Sequence, residues 1–142
     1  MIRVQPVDPA YIHQTWPLVE PYISSAFISG YPYPEEGLLY TLDNVREYVA
    51  SGQWLLLVAV GDNNEIKGAA TVSFSNHPRH RVAFVTTIGG KLICTHDTVN
   101  QLKILCKQRG ATILQAYGKE SIVRLWKRYN FEPRNTLVET LL

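Results

Sequence analysis

Residues 108–131 read QRGATILQAYGKESIVRLWKRYNF, and this stretch decides the fold. Its first part, residues 111–117, is a run of apolar and β-branched side chains between Gly110 and Gly118. A short apolar run with a glycine at each end favours a buried strand over a helix. After Gly118 the apolar residues recur at helical spacing, which predicts a second, amphipathic helix over residues 119–130. Pro133 prevents that helix from continuing.

Elsewhere in the chain, each apolar stripe predicts a strand or a helix. Residues 99–106 form a helical stripe that ends at Arg109 and Gly110, a basic last turn followed by a typical helix-ending residue. Asp8 is placed to begin a first helix, which Pro17 and Pro21 would kink or divide, and a loop rich in Gly, Pro and Tyr follows over residues 24–39. Thr41 or Asp43 begins a second helix. Strands are predicted over residues 2–6, 54–60, 66–74, 82–88 and 136–142. The predicted order is therefore β-α-α-β-β-β-α-β-α-β.

The segment 119–131 resembles the last helix of GNAT N-acetyltransferases. That family commonly shows Asn, then Ala three residues later, then Leu-Tyr, a basic residue and Gly-Phe. The chain reads most like the short, divergent GNAT-like proteins of bacteriophages, in which a Gly-Gly pair, an amphipathic helix and an aromatic last helix recur. Leu125, Lys127 and Phe131 match the pattern, whereas Lys119, Ile122, Trp126 and Asn130 depart from it.

The fold class that this resemblance implies is a single α/β, GNAT-like domain over residues 1–142. A mixed, mostly antiparallel sheet of about six to seven strands would be covered by about four helices, and this arrangement accounts for the apolar stripes. The sheet would be an antiparallel meander followed by a parallel step at residues 111–117. The exposed strand edge at residues 136–142 is where a homodimer would form.

Composition narrows the function classes. The chain has 142 residues, 46% of them hydrophobic and 18% charged, with a net charge of +2, which is typical of an ordered globular protein. So small a charge argues against a nucleic-acid partner. The longest apolar run, residues 54–60, is too short for a membrane helix. Two separate cysteines and an N-terminus without an apolar core favour a cytoplasmic protein. A viral enzyme would lie in the host cytoplasm, and a structural viral protein would lie in the virion.

Acetyl-CoA is the cofactor that the resemblance implies. In the family the fourth strand, here residues 82–88, exposes backbone groups to the pantetheine arm. The following loop and the start of the next helix, here near Thr95 or Asp97, hold the pyrophosphate. The glycines of the family's phosphate loop are missing here. The pair Gly89-Gly90 has two interpretations: an ordinary turn or bulge that ends a strand, or a shifted phosphate loop. The predicted cofactor-binding residues are Thr86, Ile88, Gly89, Gly90, Lys91, Thr95, His96 and Trp126.

The general acid is harder to assign. Many GNAT enzymes use a Tyr of the last helix to protonate the leaving thiolate, and Trp126 occupies that position here. An indole N–H donates a hydrogen bond but does not give up its proton. Tyr129, about one turn further on, and Tyr117, at the end of the preceding strand, are the candidate substitutes. Alternatively, Trp126 and Tyr129 are packing residues, since aromatic stripes at helical spacing usually face a core.

The general base and the acceptor site fall in the loop between the first two helices. Glu36 is the candidate base, and Tyr31, Tyr33 and Glu35 are the candidate substrate-binding residues, because this region shapes the acceptor site in related enzymes. The two tyrosines also suit a purely structural role, fixing a long loop to the surface. Two other candidate bases, His77 and His80, flank a turn whose exposure explains them equally well.

Two functions follow from these residues. The first is an N-acetyltransferase that moves acetyl from acetyl-CoA to a primary amine of a small molecule or a protein, by direct attack in a ternary complex. The second is a non-catalytic GNAT-like phage protein, either a virion component or a host-protein-binding module. The missing glycines and Trp126 favour the second function. No residue spacing typical of a metal site is present.

Overall fold

The computed structural model describes residues 1–29, 39–118, 120–140 and 142, which form five strands and four α-helices. None of these helices is both long and apolar enough to cross a lipid bilayer. Two short 3₁₀ turns, Pro9–Tyr11 and Lys91–Ile93, precede α1 and α3. The elements are β1 (Arg3–Pro6), α1 (Ile12–Ser29), α2 (Leu42–Ala50), β2 (Leu55–Val60), β3 (Ile66–Asn76), β4 (Arg81–Gly90), α3 (His96–Gln108), β5 (Ile113–Ala116) and α4 (Glu120–Lys127).

The strands form one mixed sheet in the order β1-β2-β3-β4-β5. The first four are antiparallel neighbours, and β5 lies parallel to β4. A parallel neighbour needs a crossover connection, and α3 provides it. All six residues of β2 are buried, so both faces of the sheet are covered there. The predicted antiparallel meander with a parallel step at the fifth strand is confirmed.

Each face of the sheet has its own apolar core. We call the two sides the α1/α2 face and the α3/α4 face, after the helices that cover them. Because alternate strand residues point to opposite faces, β2 contributes to both cores. The α1/α2 core includes Trp16, Val19, Ile23, Val45, Val49, Trp54, Leu56 and Val58. The α3/α4 core includes Leu55, Leu57, Val72, Ala83, Val85, Leu92, Leu102 and Trp126.

Threonine side chains cap the N-termini of α2 and α3. Thr41 Oγ1 accepts the Asn44 amide at 3.1 Å, and Thr95 Oγ1 accepts the Thr98 amide at 3.1 Å. In both helices the residue at the third position also bonds back to the amide of the capping threonine. These reciprocal bonds satisfy amides that have no partner within the helix. Of the starting residues predicted, Thr41 and Thr95 are the ones used.

The first helix is longer than predicted. A loop was expected from Ser24, but α1 continues to Ser29 despite Pro17 and Pro21. Proline removes one hydrogen bond of the helix and crowds the preceding turn. Both prolines are exposed, so the carbonyl groups that they leave unpaired face water. The apolar stripe of Trp16, Val19 and Ile23 packs on the sheet without interruption.

The predicted final strand is wrong, and so is the predicted count of six to seven strands. No regular secondary structure occurs in residues 131–140. A strand at the edge of a sheet is stabilised by burying one face, yet Leu137 and Val138 are 57% and 85% exposed. The segment therefore offers no buried face, and β5 is the last strand in the described part of the chain.

Because the Cys106 thiol is buried, we expect the free energy of unfolding to decrease at alkaline pH. Burial raises the pKa of Cys106 from 9.0 to about 11, against a smaller opposing effect of Arg109. The native state therefore holds this proton more tightly than the unfolded chain does. The resulting stabilisation is fully present below pH 9 and is lost as the pH rises through 11. The lost contribution is about 3 kcal/mol.

We expect wild type to lose more stability across this pH window than Cys106→Ala does, as measured by urea unfolding at intervals of pH. Cys94→Ala is the control, because Cys94 is exposed. Equal pH dependence in wild type and Cys106→Ala would contradict the prediction.

Candidate functional site

The parallel strands β4 and β5 separate partway along β4. Their ladder pairs Val82 with Ile113 and ends where Val85 pairs with Ala116. Beyond that pair β4 continues to Gly90, still bonded to β3 but without a β5 partner. In a strand, every residue presents an N–H and a C=O to one neighbour or the other. The edge of β4 after Val85 is therefore open to a ligand.

A β-bulge lies where the two strands separate. On β3, Thr71 pairs with Thr87 and Val72 pairs with Val85, so Thr86 has no partner across the ladder. An extra residue of this kind bends its strand and increases the local twist. The bulge lies directly after Val85, the last β4 residue that pairs with β5, so it coincides with the start of the open edge.

Three buried threonine hydroxyls stabilise the bulge. Thr71 Oγ1 lies 2.6 Å from Thr86 Oγ1 and 2.7 Å from Thr87 Oγ1. The Thr86 hydroxyl donates at 2.9 Å to the carbonyl oxygen of Thr71, the residue at which the register shifts. With one hydrogen on each hydroxyl, the chain runs from Thr87 to Thr71, then to Thr86, then to the carbonyl. A side chain therefore compensates for the ladder that the bulge disrupts.

Replacing Thr86 tests this role. Thr86→Val keeps the shape of the side chain but removes the hydroxyl donor to the buried Thr71 carbonyl and one of the two partners of the Thr71 hydroxyl. We therefore expect a loss of about 1–3 kcal/mol in the free energy of unfolding. Thr86→Ser keeps the hydroxyl and serves as the matched control. Urea unfolding measures both variants, and equal stabilities would show that the hydroxyl chain does not support the bulge.

The pair Gly89-Gly90 belongs to the end of β4. Gly89 pairs with Ala69, and Gly90 pairs with Gly68. A side chain at Gly89 would collide with the carbonyl oxygen of Tyr22 on α1, and Gly90 has a φ of +67°. Both glycines are thus explained by close approach of neighbouring backbone, which agrees with the strand-end interpretation. A phosphate-binding role for them stays a prediction.

Gly90 combines crowding with a backbone conformation, φ +67° and ψ −145°, that residues with a side chain avoid. Gly52 also has a positive φ, of +81°, but an added Cβ there would meet only Pro9, at an ordinary 3.6 Å. Gly52→Ala should therefore cost about 1–2 kcal/mol of left-handed strain. Gly90→Ala adds a collision with the Lys67 carbonyl, so we expect a further loss of about 1–3 kcal/mol. Equal losses in urea unfolding would contradict the close packing at Gly90.

The loop after β4 contains the remaining predicted cofactor residues. Lys91 is exposed at the start of a 3₁₀ turn, while Leu92 of the same turn is fully buried. Thr95 and His96 then begin α3. The first-turn amides of α3 at His96 and Asp97 have no acceptor within the helix, but the Asp97 carboxylate stands in the same turn. An anion bound there would be attracted by the positive end of the helix dipole and repelled by the Asp97 carboxylate.

The structure places the candidate acids on opposite faces of the sheet. Tyr129 is only 6% exposed and packs edge-on against His96, with ring centroids 5.0 Å apart, on the α3/α4 face. Trp126 is 5% exposed in the α3/α4 core. Tyr117 is 44% exposed and contacts Phe84 at 4.8 Å. Phe84 lies between Ala83 and Val85 of the α3/α4 core, so it points to the α1/α2 face.

The acceptor-site candidates Tyr31, Tyr33, Glu35 and Glu36 lie outside the described residues. His77 and His80 stand at the start of β4, the end remote from the open edge. His80 Nδ1 lies 3.0 Å from Thr112 Oγ1, and His77 Nε2 lies 3.2 Å from Ser75 Oγ.

Sequence reasoning missed Thr71, Phe84 and Tyr40 as site residues. Thr71 follows Ala69 at strand spacing, which places it on the same face, but only the bulge brings its hydroxyl to Thr86 and Thr87. Burial and the neighbouring phenols of Tyr48 and Tyr117 raise the pKa of Tyr40. No spacing in the sequence indicates this influence of Tyr117 on Tyr40.

Solved acetyltransferases share this architecture. No family model and no curated protein matches the sequence. An aminoglycoside acetyltransferase from an uncultured soil metagenomic sample, in complex with sisomicin, has a TM-score of 0.71 at 7% identity, over 99% of this chain and 95% of that one. A predicted acetyltransferase from Clostridium acetobutylicum, with acetyl-CoA, gives 0.62 at 14% identity, over 99% and 96%. An aminoglycoside 6'-N-acetyltransferase from Acinetobacter baumannii gives 0.63 at 15% identity, over 100% and 98%.

The chain has the GNAT acetyltransferase fold. The resemblance seen in the last helix is thereby confirmed at the level of fold, and the likeness spans nearly the whole of each chain. Identities of 15% or less show the fold and leave activity open. The predicted bacteriophage type is unsupported by these neighbours.

Proposed function

We propose that the protein is an N-acetyltransferase that transfers acetyl from acetyl-CoA to a primary amine. The observation that carries the proposal is the open edge of β4 after Val85, within a fold whose solved examples are acetyltransferases. Had β5 followed β4 to Gly90, its backbone would occupy the edge on which the proposal depends.

The described residues fit the pantetheine arm of acetyl-CoA well and its pyrophosphate less well. The backbone of β4 from Thr86 to Ile88 offers the unpaired edge that an extended pantetheine arm requires, as an added strand does. For the pyrophosphate, the proposed groups are Lys91 and the amides at the start of α3, including His96. Asp97 weakens that second site. When bound, acetyl-CoA supplies the activated acyl group.

The rest of the mechanism falls to the protein's own residues. An amine must be held, deprotonated and aimed at the acyl carbon, and positioning provides most of the rate. Tyr117 is the better of the two proposed proton donors, since its phenol is half exposed whereas Tyr129 is buried against His96. Glu36 remains the proposed base. Trp126 packs in the core and can donate only a hydrogen bond.

A second candidate function is a non-catalytic GNAT-like protein, such as a virion component or host-protein-binding module. The observation that favours it is the burial of Leu92 and Trp126 in one core with Val85. These side chains occupy part of the α3/α4 face near the open edge. They leave the α1/α2 side of the edge unaffected, which is why we rank the enzyme first.

Binding of acetyl-CoA tests the proposal. By calorimetry we expect a micromolar dissociation constant for wild type. Lys91→Ala should bind roughly threefold to tenfold more weakly, because an exposed lysine contributes up to about 1 kcal/mol to an ionic contact. Lys67→Ala is the matched control, since Lys67 lies on the adjacent strand end and pairs with Glu65 at 3.3 Å.

The outcomes separate the two functions. Absence of heat with millimolar acetyl-CoA would leave the non-catalytic function. Binding that is unchanged in Lys91→Ala would keep the enzyme but remove Lys91 from the phosphate site.

A further inference from the structure

Four basic residues lie on two neighbouring connections at the end of the sheet remote from the open edge. Arg79 lies in the turn between β3 and β4, and Arg81 begins β4, which runs from there to Gly90. Lys107 is in the last turn of α3, and Arg109 caps that helix. The two connections are in contact, because Arg81 Nε donates at 3.0 Å to the Arg109 carbonyl oxygen. We call these four residues the basic patch.

The charge of the basic patch is held in place by groups that do not neutralise it. Besides the carbonyl of Arg109, the Arg81 guanidinium has two neutral partners. Its Nη1 donates at 2.8 Å to Asn76 Oδ1, and its Cζ lies 4.8 Å from the centre of the Phe74 ring. A carbonyl, an amide and an aromatic face attract a cation but leave its net charge unchanged. The guanidinium is therefore positioned and still carries its full charge.

The other three side chains of the basic patch are exposed, and no described carboxylate forms an ion pair with any of the four. The sequence explains why counter-charges are scarce here, since residues 66–96 and 98–119 contain no Asp or Glu. The negative end of the α3 dipole favours the cations at its own C-terminus, which lets them stand together without carboxylates. The basic patch thus presents a positive potential to solvent.

The charge of the remaining chain restricts the kind of anion that fits. Without the basic patch, ten basic residues remain against twelve acidic ones, a net charge of −2. A long polyanion such as a nucleic acid would extend beyond the patch over a surface that does not attract it. Residues 76–81 and 107–112 also contain no Phe, Tyr or Trp on which bases could stack. A short anionic segment avoids both problems, and guanidinium groups pair with carboxylates through two parallel hydrogen bonds.

We infer that the basic patch binds a short acidic segment of a partner protein. This inference goes beyond the proposed acetyl transfer, because it requires neither acetyl-CoA nor the open edge. β4 separates the two sites: the patch lies at its first residue, and the open edge begins after Val85. The acidic segment can therefore dock whether or not the open edge is occupied.

Fluorescence anisotropy with labelled probes tests the inference on the whole chain. The acidic probe is a decapeptide of alternating Glu and Ser with blocked termini. Its neutral match has Gln in place of Glu, and a thymidine hexamer of equal charge represents nucleic acid. At an ionic strength of about 0.05 M, where exposed charges act over about 10 Å or more, we expect the Glu peptide to bind about tenfold more tightly than either of the others.

A double variant identifies the surface. Arg79→Gln combined with Arg109→Gln removes two exposed charges and should weaken binding of the Glu peptide about tenfold. Arg81 is left intact because its side chain connects β4 to the end of α3. The matched control combines Arg3→Gln with Lys67→Gln, which removes the same charge at the opposite end of the sheet. This control should change binding by less than about twofold, and thermal unfolding verifies that both double variants are folded.

Four results would overturn the inference: no saturation by the Glu peptide at millimolar concentration, equal binding of the Glu and Gln peptides, hexamer binding as tight as that of the Glu peptide, or equal weakening in the two double variants. Titration with acetyl-CoA keeps the inference separate from the proposed function. A protein that binds the Glu peptide at the basic patch but does not bind acetyl-CoA supports the inference and defeats the proposed function.

Discussion

The β-bulge at Thr86 is the constraint on which the candidate site depends. One additional residue in β4 lies where the pairing with β5 has just ended, and three buried hydroxyls stabilise this bulge. A regular ladder would be more favourable for the backbone in isolation. At the start of the open edge, buried side-chain bonds therefore replace a part of the sheet's own hydrogen bonding.

The two faces of the sheet contribute differently to the site. On the α3/α4 face, Leu92 and Trp126 fill the core, and Lys103 fastens the end of α4 to α3 by donating at 2.9 Å to the Tyr129 carbonyl. On the α1/α2 face, aromatic side chains remain partly exposed next to the open edge. The proposed cofactor site is thus weakest at its phosphate end, where the Asp97 carboxylate stands in the first turn of α3.

The substitution of Trp for the family's Tyr in the last helix has a structural explanation. Trp126 contacts Phe131 at a centroid distance of 4.6 Å and lies in the core with Val85. A large aromatic side chain suits this position, because it packs against Phe131 and covers the α3/α4 face of the sheet. Proton donation requires a hydroxyl group, whereas packing here favours a large aromatic ring. Trp126 serves packing.

The sequence by itself determined the order of the elements, the parallel position of β5 and the helix starts at Thr41 and Thr95. Periodicity and capping act over a few neighbouring residues, so they can be read from local patterns. The sequence-based prediction made α1 too short, because the free-energy cost of its two prolines depends on which side of the helix they face. It also predicted a final strand, whose stability depends on burial that never occurs.

Most of the candidate site required tertiary structure. Thr86 and the Gly89-Gly90 pair could be named from the chain, but the bulge arises from register across β3 and β4, and Phe84 of β4 meets Tyr117, which follows β5, only in the folded protein. Contacts between residues so distant in sequence are set by how the sheet and helices pack. The sequence thus determined which strands neighbour each other, and the packing alone decided where two of them separate.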